Sequence, residues 1–168
     1  MDGIRATLAL THSDRREISA PGTLDGGDVC EADDHFFIGI SERTNDAGAR
    51  QLASILADRG YTSAVIDVRE IDGILHLKSG IAYVGEGRVI AIESLARHAA
   101  FQGYDVIPVP RGEEYAANCV RVNDRVLFAA GHPVLEESLR RMGYDLVPLE
   151  MSEFQKMDGG LSCLSLRY

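Results

Sequence analysis

The stretch Cys119-Val120-Arg121-Val122-Asn123-Asp124-Arg125-Val126-Leu127-Phe128, with Gly143-Tyr144-Asp145-Leu146-Val147-Pro148-Leu149 downstream, decides the fold. Two β-rich runs flank Asn123-Asp124, a pair suited to a tight hairpin turn. Between them and Gly143, residues Leu135, Leu139 and Met142 recur three and four apart, the spacing of a helix with one buried face. Gly143 fits the left-handed position that closes a helix, and Tyr144 opens a further strand. The stretch reads as a ββαβ unit.

The same pattern occurs twice upstream. Asp28-Val29-Cys30 and Phe36-Phe37-Ile38 flank Ala32-Asp33-Asp34, a helical pattern follows at Ala49, Leu52, Ile55 and Leu56, and Gly60-Tyr61 leads into Ala64-Val65-Ile66. Ile81-Ala82-Tyr83-Val84 and Val89-Ile90-Ala91-Ile92 flank Gly85-Glu86-Gly87, and Gly103-Tyr104 leads into Val106-Ile107-Pro108-Val109. A helix is expected before each Gly-Tyr pair. The repeats span about 27–67, 80–110 and 118–150 of one α/β domain, 1–168, with a short helix near Ser152 to Gln155 and a lone closing strand over 161–168. Residues 1–19 carry no copy, beyond a possible strand at Ala6 to Leu10. With no linker between them, the repeats are expected to pack on one another.

Composition narrows the functional classes. No apolar run approaches the roughly 20 residues of a membrane span. Seventeen Lys and Arg against 26 Asp and Glu give a formal net charge of -9, which repels nucleic acid and anionic membranes and welcomes a cationic substrate. Nothing at Met1-Asp2-Gly3-Ile4-Arg5 reads as a signal peptide, so cytoplasmic residence is expected. Cys30, Cys119 and Cys163 are an odd number without a C-x-x-C pair, which suits neither a disulfide framework nor a cysteine-rich zinc site. The glycine-rich nucleotide loops, the H-E-x-x-H zinc motif and the G-x-S-x-G elbow are all absent from the sequence.

Several residues could carry chemistry. Cys163 follows Asp158-Gly159-Gly160-Leu161-Ser162, where glycines permit close substrate approach and free N–H groups can point at it, although a cysteine in an apolar strand is more often inert core. Cys30 and Cys119 keep that commoner role. His76, between Leu75 and Leu77, suits a partly buried general acid/base, against the commoner satisfied core histidine. His12, His35, His98 and His132 read as surface residues. Asp25 and Asp28 bracket two glycines where a turn is equally expected, and a carboxylate there could orient His76. Arg43 precedes a helix capped by Thr44 or Asn45 and is either a solvated charge or a fork for a carboxylate.

The segments Thr23-Leu24-Asp25-Gly26-Gly27-Asp28, Ser41-Glu42-Arg43-Thr44-Asn45, Leu75-His76-Leu77-Lys78-Ser79, Ala116-Ala117-Asn118-Cys119 and Lys156-Met157-Asp158-Gly159-Gly160-Leu161-Ser162-Cys163-Leu164-Ser165-Leu166-Arg167 together resemble the dimethylarginine dimethylaminohydrolase family of the amidinotransferase, or pentein, superfamily. The resemblance covers Ala20 to Tyr168. It implies an α/β-propeller of ββαβ modules with pseudo-fivefold symmetry, of which this chain holds three modules plus a closing strand and lacks the front. It further implies Cys163 as nucleophile, His76 as general acid/base, Asp25 as the carboxylate orienting it, Arg43 as the clamp on the substrate carboxylate, and Leu75 and Met157 as backbone contacts. The implied reaction hydrolyses an Nω-methylated arginine to citrulline and a methylamine through a covalent thiouronium, with no metal or organic cofactor. Arginine deiminases of the same superfamily carry an acidic residue where this chain has Lys78. A deiminase or amidinotransferase activity, or a non-catalytic binding or structural subunit, are the competing readings. A homo-oligomer, or a separate N-terminal fragment, would complete the ring.

Overall fold

The computed structural model describes residues 2–12 and 14–165. Helix α1 (Asp2–Thr11) opens the chain, where a strand at Ala6 to Leu10 was the expectation. A strand there would need a neighbour for its N–H and C=O groups. The helix satisfies them locally, with His12 N donating to Leu8 O at 2.8 Å and Thr7 Oγ1 to Gly3 O at 3.0 Å.

Three three-stranded sheets follow, each built the same way. In the first, β1 (Val29–Ala32) pairs antiparallel with β2 (His35–Ile40), helix α2 (Asp46–Ala57) crosses over, and β3 (Thr62–Asp67) returns parallel to β2 with Thr62 opposite His35. Asp33 turns the hairpin at φ 55°. The second sheet follows a short helix α3 (Leu77–Gly80) and comprises β4 (Ile81–Tyr83), β5 (Arg88–Ala91) and β6 (Asp105–Pro108). The third comprises β7 (Val120–Val122), β8 (Arg125–Ala129) and, after α4 (Pro133–Arg141), β9 (Asp145–Leu149). In every sheet the second hairpin strand is central, because the tight turn forces one neighbour antiparallel and the crossover allows the other to be parallel.

Gly60, Gly103 and Gly143 all take left-handed φ, at 85°, 97° and 91°. Behind two of them an α-helix ends in the same way, Tyr61 N donating to Leu56 O and Tyr144 N to Leu139 O, both at 3.1 Å. The middle repeat departs from expectation. Ahead of Gly103 stand turns and a 3-10 segment, Ala99–Phe101, in place of an α-helix. His98 Nδ1 accepts from Ala100 N and interrupts any continuous helical ladder. The irregular path seats Phe101 edge-on against Phe37 of the first sheet, ring centroids 5.1 Å apart, a contact worth about 0.5–1.5 kcal/mol beyond its burial.

One apolar core runs through all three sheets, including Phe37 and Ile66, Ile90 and Ile107, and Phe128, Leu135 and Leu139. Met142, expected on the buried face of α4, sits at its C-terminal cap and is exposed. His35 is half-buried against Phe37, and burial pushes its pKa down, so it is no ordinary surface histidine. Helix α5 (Ser152–Gln155) stands where a short helix was expected. Beyond it, Leu161–Leu164 is a 3-10 turn and not the start of a closing strand. Two of its amides are taken away from any ladder, Cys163 N by Gly160 O and Ser162 N by the Asn118 side chain. The remainder of that expected strand, 166–168, lies outside the described residues. No described helix is long and apolar enough to cross a membrane.

Candidate active site

Asp25 caps the 3-10 turn Gly26–Asp28, its Oδ1 accepting from Gly27 N at 2.8 Å. That bond, with smaller help from the nearby His76 and Arg43 and against the opposing effect of burial, holds the Asp25 carboxyl below the usual range. It is therefore ionised throughout the neutral range. Its Oδ2 lies 3.5 Å from His76 Nε2 and 3.6 Å from Arg43 Nη1. His76 caps α3, and its side chain is only 13% exposed. Nε2 is buried and makes no hydrogen bond among the described residues, with Asp25 Oδ2 facing it at 3.5 Å. The imidazole lies directly over Gly27, where a β-carbon would stand 2.7 Å from His76 Cγ.

Asp28 is the joint behind these residues. Fully buried, it accepts from Leu77 N at Oδ1 (3.0 Å) and from Ser41 Oγ (2.7 Å) and Thr44 Oγ1 (2.6 Å) at Oδ2. One carboxylate thereby ties the turn bearing Asp25, the loop bearing Arg43 and the residue after His76. Thr44 is spent on this joint, and the helix cap falls to Asn45, whose Oδ1 accepts from Gly48 N at 2.8 Å. The sequence offered Asp28 as a turn residue or a carboxylate for His76 and not as this joint, since its partners lie in other segments of the chain.

Cys163 is exposed, whereas Cys30 and Cys119 are buried, and burial pushes the Cys119 thiol up to about 12. Cys163 and His76 line one cavity of about 310 Å³, together with Leu75, Tyr115, Asn118 and Gly160, a volume at the lower end for small-ligand sites. Glu114 and Asp158 add carboxylates to its wall, and two N–H···O contacts from Gly112 hold the Glu114 carboxyl below its usual range. Such a wall suits a cation. None of Glu114, Tyr115, Asn118 or Asp158 stood out individually from the sequence. Asp25, beside His76, and Arg43, beside Asp25, are not in the cavity wall, and Met157, 84% exposed, is also outside it. Lys78 lines a separate cavity of about 190 Å³ with Cys30 and Cys119. Among the described residues, no group of three or more His, Cys, Asp or Glu side chains could hold a metal ion.

A family model described as arginine deiminase matches residues 5–108. The chain belongs to the arginine deiminase family. This family member is 42% identical to the N(G),N(G)-dimethylarginine dimethylaminohydrolase of Pseudomonas aeruginosa over 151 residues, 90% of this chain and 58% of the relative. It is 36% identical to the enzyme of the same name from Streptomyces coelicolor, over 98% of this chain and 62% of the relative. Its fold matches the P. aeruginosa enzyme, solved as a cysteine-to-serine mutant complexed with citrulline, with a TM-score of 0.91 and 39% identity over 99% of this chain and 65% of that one. The arginine deiminase family member thus has the α/β pentein-type fold and spans less than two thirds of the length of the relatives it matches.

Proposed function

We propose that this chain carries the catalytic half of a dimethylarginine dimethylaminohydrolase, with Cys163 as nucleophile, His76 as general acid/base and Asp25 as the carboxylate that orients His76. The observation that carries the reading is the shared cavity of Cys163 and His76, with Asp25 Oδ2 3.5 Å behind the imidazole. In the reaction, the Cys163 thiolate attacks the guanidinium carbon and forms a C–S bond. His76 gives its proton to the departing dimethylamine nitrogen as the C–N bond breaks, leaving a thiouronium. Water then attacks the same carbon, passing a proton to His76, and citrulline leaves as the thiolate is restored. Arg43 holds the substrate carboxylate and Leu75 and Met157 offer backbone contacts. The acidic cavity wall and the net charge of -9 favour a cationic methylarginine. Lys78 in place of an acid after the histidine, together with the two hydrolase relatives, favours methylarginine hydrolysis over deimination.

The remaining modules of the ring come from an upstream segment or from another copy of the chain, and no metal or organic cofactor takes part. The test is citrulline release from asymmetric dimethylarginine by this chain and by a form extended upstream to the length of its relatives. The extended form should turn over, and His76→Ala in it should cost about 10²–10⁴-fold in rate with ligand binding largely retained. Absence of citrulline from both forms would sink the catalytic reading in favour of a binding or structural subunit.

A further inference from the structure

From the way the segment ahead of Cys163 is held, we infer that Asn118 and Tyr115 are positioning residues for this thiol, clamping Gly159–Ser162 so that the sulfur is presented to the cavity it shares with His76. The inference rests on the reading of Cys163 as nucleophile.

Both residues come from one small element, the 3-10 turn Glu114–Ala117 and its C-terminal cap Asn118. The Tyr115 hydroxyl donates to Gly159 O at 2.6 Å, and Ser162 N donates to Asn118 Oδ1 at 2.9 Å, each bond reaching 44 residues along the chain. The two bonds grip the segment at its start and its end. Just past Ser162, Cys163 N donates back to Gly160 O at 3.1 Å and tightens the turn. Gly160 presses its α-carbon on the Asn118 amide so closely that a β-carbon would lie 2.7 Å from Asn118 Cγ. Its φ of -129° is open to any residue, so glycine is required there by the contact and not by the backbone.

The clamp is itself anchored. Glu113, 9% exposed, accepts from Val134 N at 3.0 Å and Leu135 N at 2.8 Å, tying the turn to the first amides of α4. Asn118 is 8% exposed, so the Ser162 N–H has its acceptor away from competing water. Burial, and secondarily the nearby Cys163, push the Tyr115 hydroxyl pKa up, which keeps it a donor. A thiol held against a wall that includes Glu114 and Asp158 should react preferentially with a cationic, guanidine-like electrophile, and that preference reads out its position.

The full chain is treated in parallel with 2-chloroacetamidine and with neutral iodoacetamide, and labelling of each cysteine is followed by mass spectrometry. The parent should label at Cys163 and favour the amidine. Tyr115→Phe and Asn118→Ala should each lower the amidine-to-iodoacetamide rate ratio at Cys163, on the order of tenfold for a displacement approaching an ångström. Cys30 and Cys119 should stay unlabelled. Gly160→Ala should have a similar effect, and adding Asn118→Ala to it should lower the ratio little further, since both act on one contact. Parent-like ratios in the Tyr115 and Asn118 variants would overturn the clamp, as would a drop accompanied by labelling of Cys30 or Cys119, the mark of general loosening. A parent that shows no amidine preference would instead overturn the nucleophile reading, and the clamp's purpose with it.

Discussion

His76 owes its place to an absent side chain. Gly27 lies under the imidazole, and a β-carbon there would stand 2.7 Å and 2.9 Å from His76 Cγ and Cδ2 and 3.1 Å from Asp25 Oδ1. Gly27→Ala should therefore push the ring away from Asp25 while leaving the fold intact, because the turn itself is exposed at Gly26 and capped by Asp25. In the upstream-extended form, citrulline release should fall by about a hundredfold with circular dichroism unchanged. A Gly27→Ala protein with parental turnover would show that His76 does not depend on this contact. The Asp25 carboxyl, held below its usual range, should not limit the site at neutral pH. Its contribution is present above the ordinary carboxylate range and is lost only as pH falls through its own lowered pKa.

At the scale of elements, Asp28 joins pieces that the sequence presents separately: a 3-10 turn, the loop ahead of α2, and the entry to α3. Asp28→Ala would strand the Leu77 N–H and two hydroxyls in a site with no access to water, a loss of about 3 kcal/mol or more. Asp28→Asn keeps the volume and one acceptor and should cost about 1–2 kcal/mol. Denaturant midpoints at fixed protein concentration would test this, and both variants within about 0.5 kcal/mol of the parent would refute it. The nine strands among the described residues were readable because alternation, turn residues and Gly-Tyr pairs are local signals. The missing middle helix was not, because it yields to Phe101 packing on Phe37 of another sheet. Leu161–Leu164 was misread as strand for a similar reason, since the Ser162 and Cys163 amides go to Asn118 and Gly160. Cys163, His76 and Asp25 were singled out by motif order. Glu114 and Tyr115 of the cavity wall were not, because they become a wall only when α3 and the Cys163 turn come against them.

Across the whole molecule, the three sheets bury their facing sides in one core. Separate clusters cover the other faces, Ile38 and Ile40 of the first sheet on Ala49 and Leu56 of α2 and Val120 and Ala129 of the third on Met151 and Leu161, yet Val122, Phe154 and Leu164 still leave apolar faces exposed. Such faces seek partners. Light scattering should show a mass that rises with concentration, and an upstream-extended form should reduce that rise. A constant monomer mass over the accessible range would contradict the expectation. The ladders also bear on the order in which the chain acquires its structure. Each sheet closes between near neighbours, Thr62 on His35, Asp105 on Arg88, Asp145 on Arg125. The bonds that shape the site span 49 residues from Asp28 to Leu77, 44 from Tyr115 to Gly159 and 44 from Asn118 to Ser162. Short closures form first and long ones need the sheets already docked. Chemical competence is then the last property to arrive during folding, and substitutions at these ties should hasten unfolding far more than they delay folding.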